Sequence, residues 1–118
     1  MSPPPFAEQQ LQNQALDKVI EHWGKAFGCL FESQHPHWKR VQNAMLCFKG
    51  MPIDHLPLKL VRRFQRTFAS MNAILARYPI ETWDDYQKIS PDDLTKLEIL
   101  ILNMPPKGRR VTEGIQVR

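Results

Sequence analysis

The chain has 118 residues, 42% of them hydrophobic and 24% charged. That composition describes one globular domain with a continuous core and excludes both a disordered chain and two independent domains. Sixteen Lys and Arg against twelve Asp and Glu leave a net charge of +4, a mild bias toward anionic partners well short of a histone-like excess.

Apolar spacing is helical almost throughout. Met1–Pro5 is proline-rich and reads as an extended, mobile start. From about Ala7 to Ser33, Leu16, Val19, Ile20, Trp23, Phe27, Leu30 and Phe31 recur at steps of three and four, the signature of one buried helical face. Gly24 and Gly28 interrupt that helix and suggest a close crossing or a kink. A second helix begins near Pro36, carries Trp38, Val41, Met45 and Phe48 inward, and stops at Gly50 and Pro52. A third is predicted from Asp54 as N-cap, through Pro57 in its first turn, to Tyr78 as one rod.

After Pro79 comes a short acidic piece, Ile80 to Ile89, in which Thr82 and Asp85 have capping-pair spacing. The last helix has the clearest start: Ser90 as cap, Pro91 in the first position and Asp93 three residues after the cap, with Leu94, Leu97, Ile101 and Met104 as its buried stripe. Pro105-Pro106 ends it. No period-two alternation is visible. The prediction is therefore an all-α, compact four- to five-helix domain over 7–104, with a flexible 1–6 and a mobile basic tail over 105–118.

Charge is distributed unevenly along this order. Residues 53–79 carry Lys59, Arg62, Arg63, Arg66 and Arg77 against Asp54 alone, whereas 80–104 hold six acids and two bases. The third helix thus combines an apolar seam (Val61, Phe64, Phe68, Met71, Leu75, Tyr78) with a basic stripe on its flank. Like charges at these spacings repel by a few tenths of a kcal/mol per pair, which suits a helix awaiting an external anion. Lys59, Arg62, Arg63 and Arg66 are the predicted phosphate contacts, with Thr67, Ser70 and Asn72 as neutral donors nearby. Lys39 and Arg40, with Lys49, join them if the second and third helices pack side by side, and Lys107, Arg109 and Arg110 add contacts from the tail. The competing prediction is internal: the acidic 80–104 segment folds back and neutralises the basic helix.

Other constellations read as structural. His22, His35 and His37 lack the convergent spacing of a zinc site, and Cys29 and Cys47, 18 residues apart, read as buried reduced thiols. Asp84-Asp85 and Asp92-Asp93 sit where helix starts favour acids. The tryptophans read as core anchors, Trp38 alone having the basic neighbours of a base-stacking residue. No phosphate-loop, dinucleotide, hydrolase or metalloprotease motif occurs, so neither a cofactor nor a metal is expected. Nor does the start resemble a signal peptide, and no apolar run reaches the roughly 18–20 residues of a membrane helix. The expectation is a soluble, cytoplasmic, non-enzymatic helical accessory protein that binds DNA or RNA, with a protein-interaction subunit or inhibitor as the alternative. Coiled-coil spacing of the seam leaves self-association open.

Overall fold

The computed structural model describes residues 5–104. They form four α-helices, α1 (Pro5–Leu30), α2 (His37–Leu46), α3 (Leu58–Leu75) and α4 (Pro91–Leu102), with 3-10 turns at Ile53–His55 and Trp83–Lys88. No strand occurs among the described residues. The domain is all-α, as the periodicity predicts. The predicted flexible 1–6 lies mostly, and the basic tail wholly, outside the described residues.

α1 ends three residues earlier than predicted, its last turn closed by Phe31 N–H donating to the Gly28 carbonyl at 3.1 Å. The apolar stripe of α1 is also wider than the surface that covers it. Ala15, Val19, Ala26 and Leu30 are buried, while Ile20, Phe27 and Phe31 remain 40%, 37% and 61% exposed. The register 15/19/26/30 faces α2 and α4, and the aromatic residues lie around the helix from it. Gly24 and Gly28 mark no close crossing, because a Cβ at either would meet nothing within 4 Å.

α2 ends short of the predicted stop, at Leu46 with Cys47 as its cap; the buried Phe48 lies in the turn that follows, which Gly50 closes with a left-handed φ of +74° before Pro52. The third segment departs from the single predicted rod. Leu56 is extended (φ −79°, ψ 160°) because it precedes a proline, and Pro57 is extended too (φ −55°, ψ 144°). Asp54 therefore belongs to a separate 3-10 turn, and α3 starts at Leu58, a helix of 18 residues and about 27 Å. Thr82 and Asp85 form a reciprocal capping box at the second 3-10 turn, and Ser90 Oγ accepts from Asp93 N–H at 3.2 Å at the start of α4. Leu94, Leu97, Ile101 and Met104 are all buried, as their spacing requires.

A single core cluster joins these elements. α1 packs most extensively on α2. α2 also packs on α4 and the second 3-10 turn, and, of the helices and 3-10 turns, α3 packs on α4 and the first 3-10 turn. The described residues span 50 × 35 × 17 Å, a flattened body two helix layers thick. α3 lies at its edge, with one face inward and the other in solvent.

Candidate nucleic-acid interface

The inner face of α3 is set by Phe64, Met71 and Ile74, exposed 1%, 0% and 7%. Val61, Phe68 and Leu75 pack against the same core, and the Phe68 ring meets Phe48 edge-on at 6.0 Å. Of the seam with coiled-coil spacing, Phe64 and Met71 are thus buried and Val61, Phe68, Leu75 and Tyr78 half-buried against the protein's own core.

At 100° per residue, Lys59, Arg62 and Arg66 fall within an arc of about 60° on the side opposite Phe64. They stand opposite the seam rather than on its flank. All three are exposed, and none has an ion-pair partner among the described residues. Lys59 to Arg66 covers roughly 10 Å along the axis. The N-terminus of α3 has no side-chain cap and no acid in its first turn. Lys59, in that first turn, opposes the helix dipole at a cost of about 0.3–1 kcal/mol. An anion at this end would relieve both the dipole and the mutual repulsion of the three charges.

Arg63 does not share that face. It sits about 100° from Phe64, half-buried, and donates from Nη2 to the Asn103 carbonyl at 3.0 Å, tying α3 to the C-terminal end of α4. Nor is Thr67 turned outward for a ligand, since its hydroxyl donates to the Arg63 carbonyl at 3.1 Å. Ser70 and Asn72 are exposed, Ser70 toward the cationic side.

α2 and α3 do not pack on one another, so Lys39 and Arg40 do not extend the patch. Lys39 Nζ lies 3.7 Å from Asp84 and 5.7 Å from the centre of the Trp38 ring. Arg40 is half-buried, and its Nε, like Oε1 of the buried Gln42, is enclosed without a hydrogen-bond partner among the described residues. Lys107, Arg109 and Arg110 lie outside the described residues. Trp38 packs at the core with its own lysine over the ring, Trp23 Nε1 donates to the Ile101 carbonyl at 2.8 Å, and Trp83 stacks on Tyr86.

Four of the six acids of 80–104 are engaged elsewhere. Asp84 faces Lys39, Asp85 pairs with Lys88 at 3.2 Å, and Glu98 meets His37 Nε2 at 2.7 Å. Backbone N–H groups of Glu81 and Thr82 hold Asp85 below the usual carboxylate range, and Lys88 adds to this against slight burial. Asp93 is buried and accepts from Arg77 Nη1 at 3.2 and 3.3 Å and from the Tyr78 hydroxyl, with Lys96 at 3.7 Å. The Tyr78 hydrogen bond keeps its carboxyl depressed despite burial, and Arg77 and Lys96 reinforce it. Internal neutralisation thus reaches Arg77, just beyond the end of α3, and none of Lys59, Arg62 or Arg66. Tyr86, by contrast, is pushed up to about 12 by burial and takes no part in charge exchange near neutrality.

The histidines are individually placed. His22 Nδ1 lies 2.7 Å from the Cys47 carbonyl, His35 is 4.0 Å from Glu32, and His37 is with Glu98. No group of three metal-ligating side chains comes together among the described residues. None of their helices is long and apolar enough to cross a membrane. Compared with protein families, with curated proteins and with solved structures, the chain matches none.

Proposed function

We propose that this protein is a non-enzymatic, helical nucleic-acid-binding accessory protein that contacts phosphates through the outer face of α3, with the basic tail at Lys107, Arg109 and Arg110 adding further contacts. One observation carries the reading. Lys59, Arg62 and Arg66 share one solvent-facing arc without acidic partners, while four acids of the neighbouring segment are paired with other groups. Three cations over roughly 10 Å match a phosphate backbone better than a single small anion. They position a duplex or strand without reading its bases, so the binding is tolerant of sequence.

The test is fluorescence anisotropy with single- and double-stranded oligonucleotides at two salt concentrations. Three phosphate contacts on duplex DNA imply about a 40-fold loss of affinity between 50 and 200 mM salt. Arg62→Glu/Arg66→Glu should lower affinity on the order of 30-fold at low salt while the circular dichroism spectrum stays unchanged. Equal binding by that variant would remove this face from the interface.

A protein-interaction subunit or inhibitor is the second reading, favoured by the exposed apolar side chains Ile20, Phe27 and Phe31 of α1. The rings of Trp23, Phe27 and Phe31 follow one another at centroid distances of 4.9 Å, tilted by 33° and 53°, and Ile20 is exposed on the same helix. Under that reading neither oligonucleotide changes anisotropy at low salt, and an acidic protein co-elutes with the chain in gel filtration.

A further inference from the structure

Cys29 lies in the last turn of α1 and Cys47 caps the C-terminal end of α2. The most extensive helix packing in the molecule brings their sulfurs to 3.8 Å, with both residues half-buried and both thiols free. Buried inert thiols, the sequence expectation, would lie apart or fully enclosed. These two instead face each other at a partly open edge. We propose that Cys29 and Cys47 form a thiol–disulfide modification site, which a small-molecule disulfide of the glutathione class oxidises to an intrachain cross-link between α1 and α2.

Sulfur–sulfur bonding needs a closure from 3.8 Å to about 2.0 Å, which side-chain rotation supplies in large part between two helix ends already docked. The order of events follows from the surroundings. Burial, then the neighbouring Cys47, then Glu32 raise the Cys29 thiol to about 11, which makes Cys29 a poor first nucleophile and leaves the opening attack to Cys47. Cys47 Sγ attacks one sulfur of oxidised glutathione. A bond forms between Cys47 and that sulfur, the glutathione S–S bond breaks, and the departing glutathione thiolate takes up a proton. The mixed disulfide carries no charge on Cys47 Sγ, so that part of the upward pressure on Cys29 disappears. Cys29 then loses its proton to water and attacks Cys47 Sγ, expelling the second glutathione as thiolate. The net change is two protein thiols oxidised to one disulfide and one glutathione disulfide reduced to two thiols.

The cross-link closes the segment containing residues 31–36 and pins the chain just ahead of Gly50, where it turns toward α3. It involves none of the cationic residues of α3, so its failure and the failure of the nucleic-acid reading are separate results.

The experiment uses the full chain, folded, incubated with defined mixtures of reduced and oxidised glutathione, quenched in acid, alkylated and weighed intact. The expected product is a monomer that has lost two hydrogens, takes up no alkylating reagent, and yields on trypsin digestion the peptide 26–39 joined to 41–49 until it is reduced. Cys29→Ser should halt at a glutathione adduct on Cys47, and Cys47→Ser should give no intrachain product. Two thiols of the wild-type chain that remain alkylatable, stable glutathione adducts on it, or disulfides only between chains would each overturn the proposal. The wild-type mass alone decides the matter if either variant fails to fold.

Discussion

The two ends of the α3 segment carry the same kind of charge in opposite circumstances. At its C-terminal side Arg77 reaches the buried carboxylate of Asp93, which also holds Tyr78 and faces Lys96. Over its N-terminal half Lys59, Arg62 and Arg66 face solvent, on a helix whose first turn has no acid and no side-chain cap. One end is a fastening that locks the segment to the start of α4. The other is an electrostatically incomplete surface. The lesson is that a basic helix cannot be judged by its net charge: the position of each guanidinium around and along the axis decides whether the chain itself neutralises it.

The seam on which both ends depend gives the largest expected effect. Phe64→Ala removes a side chain that is 1% exposed and should cost about 3–5 kcal/mol in denaturant unfolding, loosening the fastened and open ends together. Next comes the fastening. Asp93→Asn removes the charge shared by Arg77, Lys96 and Tyr78, and Tm at neutral pH should fall. Because the folded-state carboxyl titrates below its unfolded value, its contribution is complete above the ordinary aspartate range and disappears as pH falls through the depressed value. The difference in Tm between wild type and Asp93→Asn should therefore shrink on acidification through that window; a constant difference would count against the charge as its source.

Arg63 and Arg62 sharpen the comparison by adjacency. Arg63→Ala loses a hydrogen bond to the Asn103 carbonyl and should cost about 0.5–1.5 kcal/mol, with less effect on oligonucleotide affinity than Arg62→Ala. The latter should weaken binding while shifting stability by no more than about 0.5 kcal/mol. Reversal of that pattern would exchange their roles. Smallest of all, Gly24→Ala should stabilise the chain by about 0.5–1 kcal/mol in thermal melts, since a Cβ there meets nothing and the helix gains propensity.

Much of the fold is legible in the sequence because its signals are local. Ser90, Pro91 and Asp93 mark the start of α4, and Thr82 with Asp85 mark the turn before it, because a cap is a contact across three residues. The basic stripe of α3 was likewise visible. Its membership was not: Arg63 looks like Arg62 in a list of spacings, and only the docking of α4 makes it a structural residue. Lys39 and Arg40 failed to join the patch for the same reason, since helix-to-helix neighbours are chosen by the whole core. The exposed Phe27 and Phe31 carried no warning either, because periodicity reports which residues share a face and not whether anything covers it.

Taken alone, the amino-acid order determined an all-α chain, its helix punctuation and a helix with one apolar and one cationic side, all consequences of interactions within a turn or two of helix. Tertiary structure decided which charges meet a partner, which apolar residues stay in solvent, and that two thiols 18 residues apart face each other. Those outcomes depend on distances between residues far apart in the chain, and such distances exist only once the helices have packed.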